Sequence, residues 1–173
     1  MRNPLIATVM LAASALVAGC SSGDPEPAAG LDQPVSLASS GSISVVAAAA
    51  PAPPLETGPM AVFVVLLNDG SEPDTLTGVS SPAATTAAVH ATRSSGGMSG
   101  MGPAGPQEVP AGRTLSMGPG GLHIMLEDLV APVVQGDSLT VTLELSRAGR
   151  VVLTLPVVTY GDVLARLGEY APQ

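Results

Sequence analysis

Hydrophobic and polar positions alternate along much of the second half of the chain. Residues 139–145, "LTVTLEL", place leucine and valine on one side and threonine and glutamate on the other, which indicates a β-strand with one buried face. In 122–126, "LHIML", the same rule puts His123 and Met125 on one face and three aliphatic side chains on the other. The aliphatic face is typical of a core. On the opposite face an imidazole lies next to a thioether. These two side chains could either pack in a core or form a binding site.

Short apolar segments recur at regular spacing and predict an all-β domain. Gly, Pro and polar turn residues separate them, as in a Greek-key β-sandwich or barrel of seven or eight strands. The predicted strands are 42–49, 60–68, 74–81, 85–91, 113–117, 122–128, 137–146 and 150–158.

Three segments between or after these strands have other predicted conformations. The segment 94–107, rich in Gly and Ser, is predicted as one long loop, which in a compact domain is usually functional or disordered. The turn 118–121, "GPGG", is predicted to join its two flanking strands as a hairpin. Only 161–170 could form a helix, as a short C-terminal turn or tail.

The first forty residues predict export and membrane attachment. Arg2 and the apolar run 5–17 are typical of a secretory signal peptide, and the run is too short to span a bilayer comfortably. The sequence "LVAGC", 16–20, resembles a bacterial lipobox, which implies cleavage before Cys20 and a thioether-linked lipid on that residue. The alternative is an ordinary signal peptide with an incidental cysteine.

The residues after Cys20 are Ser, Gly, Pro, Ala and Asp without periodicity, which is typical of a flexible tether. The predicted organisation is a lipoprotein signal peptide at 1–19, the lipidated cysteine and tether at 20–41, one folded domain at 42–160 and a C-terminal tail at 161–173.

Composition and charge narrow the functional classes. The formal net charge is −8 and there is no lysine, so the chain lacks the basic surface that nucleic-acid binding needs. Aromatic residues make up only 2% of the chain, so the core must be aliphatic. Because Cys20 is the single cysteine, no disulfide is expected. The sequence shows no paired acid and base, no nucleophile–histidine motif and no phosphate-binding glycine loop, and we expect no enzyme.

Two histidines and two methionines form a candidate metal site. His90 ends a predicted strand, Met101 follows after ten residues, His123 after another twenty-one, and Met125 after one more. Thioether sulfur and neutral imidazole suit soft Cu(I), whereas zinc usually takes Cys, His or carboxylate ligands. Met98 is a fifth candidate ligand, since both it and Met101 lie among Ser and Gly where no core is expected. Met117 could be a core residue or a sulfur close to the site.

The spacing His-x10-Met-x21-His-x-Met resembles that of the periplasmic copper-chaperone family called PCuAC. Two flanking segments are also similar to that family: "NDGSEPDTLTGVSSPAA" at 68–84 and "VPAGRTLSMGPGGLHIMLEDL" at 109–129. The chain departs from the family at 102–106, where Gly, Pro and Ala replace basic and bulky residues. The resemblance runs from about 42 to 158. It implies a cupredoxin-like fold, Cu(I) binding, and delivery of copper to other extracytoplasmic proteins, including cytochrome c oxidase.

Together these observations predict a Cu(I) chaperone held by a lipid on the extracytoplasmic face of the bacterial cell membrane. The expected ligands are His90, Met101, His123 and Met125, near the surface between the loop after His90 and the hairpin at His123. The alternative is a β-sandwich lipoprotein that binds no metal and contacts a protein partner in the cell envelope.

Overall fold

The computed structural model describes residues 37–95 and 98–170. These residues form eleven β-strands, one α-helix and a final 3-10 turn at Gly168–Tyr170. The strands are β1 (Ala38–Ser40), β2 (Ile43–Pro51), β3 (Met60–Asn68), β4 (Asp74–Ser80), β5 (Ala84–Ser95), β6 (Met98–Pro103), β7 (Gln107–Val109), β8 (Arg113–Met117), β9 (Leu122–Leu129), β10 (Ser138–Leu145) and β11 (Gly149–Val158), and the helix is α1 (Tyr160–Leu167).

The strands are joined edge to edge in the order β6-β5-β9-β3-β2-β11-β10-β4-β7, with β1 added to β2 and β8 added to β3. This sheet folds over on itself, so that side chains from both of its halves share one aliphatic core. Ile124 of β9 and Leu143 of β10, for example, are both fully buried in it. The predicted all-β class and the aliphatic core are therefore confirmed.

Three strands are additional to the eight segments that the sequence predicts: β1, β6 and β7. The most important is β6, because it lies inside the segment 94–107 that the sequence predicts as a loop. It pairs antiparallel with β5, from His90 opposite Pro103 to Ser95 opposite Met98. The loop prediction is wrong here because backbone groups alone can form a ladder, even where Gly and Ser give no strand signal.

Strand β3 pairs with both of the strands that flank the "GPGG" turn, β8 and β9. The first half of β3 pairs with β9, where Val62 faces Ile124, and the second half pairs with β8, where Val64 faces Met117. Strands β8 and β9 therefore follow each other along the same edge of β3, and the hairpin prediction is wrong. The turn between them is closed by the Gly121 N–H, which donates to the Gly118 carbonyl at 3.1 Å. Gly120 has a φ of 79°, which a side chain would strain.

Helix α1 packs on the outer face of β2 and β3. Thr159 caps its first turn, and Val163 and Leu167 are buried against Phe63 and Val65 in a second, smaller cluster. The sequence allows a helix in 161–170 as a short turn or tail, and the structure has one that covers part of the sheet next to the candidate site.

Candidate metal site

The register of three neighbouring strands brings the four predicted ligands to one face of the sheet. His90 on β5 lies directly opposite His123 on β9. Thr92, two residues after His90, lies opposite Met101 on β6, and Met125 follows His123 by two residues. Directly opposed residues and residues two apart point to the same side of a sheet. The two imidazoles and two thioethers, far apart in sequence, therefore share one surface.

His123 is buried with one ring nitrogen unpaired. Its side chain is 3% exposed, and its Nδ1 lies 3.1 Å from the carbonyl oxygen of Gly121. Because a carbonyl can only accept a hydrogen bond, this contact assigns a ring proton to Nδ1, and in the neutral imidazole with that proton Nε2 has a free lone pair. That Nε2 is buried and has no hydrogen-bond partner among the described residues.

An unpaired lone pair of this kind is unfavourable in a metal-free interior, since a buried polar atom without a partner costs about 1–3 kcal/mol. A backbone carbonyl on the other ring nitrogen is the arrangement that usually orients a metal-binding histidine. The surroundings of His123 therefore fit a metal ion bound at Nε2.

The two imidazoles lie side by side in an apolar setting. The ring centroids of His90 and His123 are 6.1 Å apart, and the rings are inclined at 63°. The ring of Phe63 lies on another side of His123, at 6.4 Å and 67°. His90 is half-buried and His123 buried, so the pair is partly shielded from water.

A pocket of about 530 Å³ opens beside these rings. Its walls contain three of the predicted ligands, Met101, His123 and Met125, whereas His90 lies next to His123 outside the pocket wall. The remaining lining residues are apolar or uncharged: Pro51, Ala52, Pro53, Pro54, Pro59, Met60, Ala61, Phe63, Thr92, Pro119, Gly120 and Tyr160.

The two other candidate methionines lie elsewhere. Met98 is 78% exposed and precedes Met101 by three residues on β6, so it points to the opposite side of that strand. Met117 is fully buried in the main core opposite Val64, which favours the core interpretation of this residue.

The methionine-bearing strand extends beyond the sheet. Strand β9 pairs with β5 only as far as Ala91, so 92–95 of β5 and 98–101 of β6 form a two-stranded ribbon, here called the arm. Among the described residues, one hydrogen bond outside the β5–β6 pairing ties the arm to the sheet: the Thr92 N–H donates to the Gly121 carbonyl at 3.1 Å. A ribbon of two strands is only marginally stable alone. Met101 therefore sits on the most easily displaced part of the site, whereas His123 and Met125 lie on β9, held between β5 and β3.

The donors that the site offers are nitrogen and sulfur. Within 37–95 and 98–170, no three side chains of His, Cys, Asp or Glu come together as a metal-binding group. Sequence reasoning selects the four candidate ligands from their spacing, but it misses Phe63, Tyr160 and the proline walls, because nothing local in the sequence indicates that they approach His123.

Solved structures share this fold. The apo PCuAC domain from PmoF1 and the copper-bound PCuAC domain from PmoF2 each match with a TM-score of 0.59 and 22% identity, over 70% of this chain and 97% and 96% of those chains. The Cu(I) form of DR1885 from Deinococcus radiodurans matches with a TM-score of 0.54 and 29% identity, over 66% of this chain and 76% of that one. The fold is thus the cupredoxin-like β fold of PCuAC domains, as the sequence predicts.

Sequence comparison gives the family. The LpqE-like lipoprotein family matches residues 43–157, and the chain belongs to that family. A protein of Leifsonia xyli subsp. xyli (strain CTCB07), named as the lipoprotein Lxx21020, is 36% identical over 102 residues. The match covers 58% of this chain and 61% of that relative.

The predicted signal peptide, Cys20 and most of the tether lie outside the described residues. In the part of the chain that the structure describes, no helix is both long enough and apolar enough to cross a membrane.

Proposed function

We propose that this chain is a Cu(I) chaperone, attached by a lipid on Cys20 to the extracytoplasmic face of the bacterial cell membrane. It binds Cu(I) through His90, Met101, His123 and Met125 and delivers the ion to copper-accepting proteins such as cytochrome c oxidase. The observation that carries the proposal is the buried, unpaired Nε2 of His123, on the same face as the other three donors.

The donor set suits a carrier of Cu(I). Two thioethers and two neutral imidazoles are soft to intermediate ligands that match a soft monovalent ion. None of them is charged, so the site is weaker than a thiolate cage and can release its cargo. Thioethers also form no disulfides, which is an advantage in an oxidising compartment. Copper-bound forms of PmoF2 and DR1885, which share the fold, support the same assignment.

Transfer proceeds by exchange of ligands. Donors from a partner replace the methionines while the histidines still hold the ion, and Met101 leaves first because the arm is tied to the sheet by so few contacts. This role is binding and hand-over, without catalysis.

Replacing Met101 with leucine is expected to lower Cu(I) affinity about tenfold or more and to speed release, because one thioether is lost from the ion. The measurement is a Cu(I) titration against a competing chelator, with X-ray absorption to count sulfur neighbours. Met98→Leu is the matched control, since Met98 is also an exposed methionine but lies on the other side of the same strand, and it should change neither result. Equal effects of the two substitutions would contradict the assignment of Met101.

Replacing Cys20 with serine is expected to release the protein from the membrane fraction, because the oxygen does not accept the lipid. The lipobox sequence and the membership of a lipoprotein family support this expectation. Incorporation of a labelled fatty acid into the wild-type chain, and its absence from Cys20→Ser, measures the modification directly. A wild-type chain that carries no label would overturn the anchor while leaving the copper site untouched.

A further inference from the structure

The pocket beside His123 is much larger than a copper ion needs. A single water molecule takes up about 30 Å³ of liquid, and a bare metal ion needs no more than that. The pocket measures about 530 Å³, within the range of about 300–1,000 Å³ that is typical of sites for organic ligands. Most of its volume is therefore available to a second occupant.

The walls of the pocket define the chemistry of that occupant. None of the lining side chains is charged, although the chain as a whole has a formal net charge of −8. Five prolines line the pocket, and Tyr160, which also lines it, is 67% exposed. An uncharged and largely apolar wall of this kind suits an uncharged occupant with apolar surface, whereas a charged group would lose its hydration there without gaining a partner.

The apolar surface continues outside the pocket along helix α1. Leu164 follows Tyr160 by one helical turn, so the two lie on the same side of the helix, and Leu164 is 58% exposed. An occupant longer than the pocket would bury both side chains. This favours a polypeptide segment over a small molecule.

The position of the pocket defines what the segment must carry. Met101, Met125 and the ring of His123 all form part of its wall, so an occupant lies within reach of an ion bound there. We propose that the pocket receives an extended, uncharged segment of the copper-accepting partner, which brings a soft sulfur donor to the ion while Tyr160 and Leu164 hold its flank. The proposal rests on the proposed function for the identity of the partner, but the docking surface exists without the metal.

The test uses three capped peptides and the full chain, with and without Cu(I), and measures binding by calorimetry. The first peptide is Ala-Pro-Met-Pro-Ala, the second has norleucine in place of Met, and the third has Lys in place of both terminal Ala residues. The metal-free protein should bind the first two equally. With Cu(I) bound, the methionine peptide should bind about tenfold more tightly than the norleucine peptide, because only a thioether reaches the ion.

Two variants and one control locate the surface. Tyr160→Gln and Leu164→Gln should each weaken binding of the first peptide by about fivefold. Leu164→Gln should leave Cu(I) affinity unchanged, since Leu164 lies outside the pocket. Val152→Gln, which removes another exposed apolar side chain on strand β11, should change neither measurement.

Three outcomes would overturn the docking proposal: no binding of the first two peptides to the metal-free protein, equal binding by Tyr160→Gln and the wild type, or tighter binding of the lysine peptide. The last would show that general attraction to an acidic protein dominates over the uncharged pocket. If the wild-type protein did not bind Cu(I), the proposed function would be wrong instead. The two failures can be told apart because peptide binding is also measured on the metal-free protein.

Discussion

Replacing His123 with leucine is expected to lower Cu(I) affinity at least about a hundredfold without destabilising the metal-free protein. Leucine removes the buried, unpaired Nε2 and puts apolar atoms in its place, next to Phe63. The hydrogen bond from Nδ1 is lost, but the Gly121 carbonyl still accepts from the Thr92 N–H. A gain of about 1 kcal/mol in the free energy of unfolding is consistent with removing one unsatisfied buried atom. Chemical denaturation and a Cu(I) titration measure the two quantities.

The control for His123→Leu is the next residue along β9, which points to the other face. Ile124→Val should cost about 1 kcal/mol of stability, as expected for one methylene lost from a packed core, and should leave Cu(I) affinity unchanged. If His123→Leu were strongly destabilising and still bound Cu(I) normally, His123 would be a structural residue and the metal assignment would be wrong.

Replacing Asp74 with asparagine is expected to cost about 3 kcal/mol of stability near neutral pH, on the scale of hydrogen bonds to a buried charge. The Asp74 carboxylate is buried and accepts three backbone N–H groups. Oδ1 accepts from Thr75 at 2.7 Å and Arg147 at 2.9 Å, and Oδ2 accepts from Ala148 at 2.8 Å. The bonds from Arg147 and Ala148 fasten the start of β4 to the turn between β10 and β11, and the bond from Thr75 lies within β4. An asparagine NH2 would meet at least one of these donors without accepting from it.

This contribution should depend on pH in a defined direction. Burial raises the pKa of Asp74, but the three backbone hydrogen bonds and the charge of Arg147 outweigh it and hold the pKa below its ordinary value of 3.8. A carboxyl with a lower pKa in the folded state stabilises that state above the unfolded pKa and loses the effect as the pH falls through the folded pKa. The stability difference between wild type and Asp74→Asn should therefore shrink below about pH 3.8.

Unfolding curves between neutral pH and pH 2 measure this difference. Asp137→Asn provides the control, because Asp137 is exposed and its Oδ2 accepts only the Val134 N–H among the described hydrogen bonds. It should have a much smaller effect at neutral pH. An Asp74→Asn variant as stable as the wild type at pH 7 would show that the three hydrogen bonds contribute little.

Much of the fold could be predicted from the sequence because its strands follow simple alternation. Ile124 and Leu126 are fully buried, and His123 and Met125 point to the other face, as the pattern "LHIML" predicts. Burial of His123 itself could not be predicted, because the covering ring of Phe63 comes from a strand some sixty residues earlier. Strand β6 could not be predicted, because its Gly and Ser residues have low strand propensity and pair through their backbone groups alone.

For the candidate site, too, the sequence predicts one part and only the structure shows the other. The spacing of the histidines and methionines predicts which residues could bind copper, and register then places them together. The spacing selects Met101 over Met98, but the structural reason for that choice is the side of the strand that each residue occupies, and the sequence predicts a loop there. The pocket depends on prolines and Tyr160 from distant parts of the chain, so only the three-dimensional arrangement reveals it.

The candidate donors are held with unequal firmness, since Met101 lies on the arm whereas His123 and Met125 lie on β9 within the sheet. The arm makes few contacts with the sheet, and Gly100 in the arm has open space where a side chain would begin. If Met101 binds the ion as proposed, a substitution at Gly100 would change how long its sulfur stays on the ion and leave the folded core intact. On the proposed function, the residence time of the cargo could therefore change by substitutions in the arm without loss of the fold.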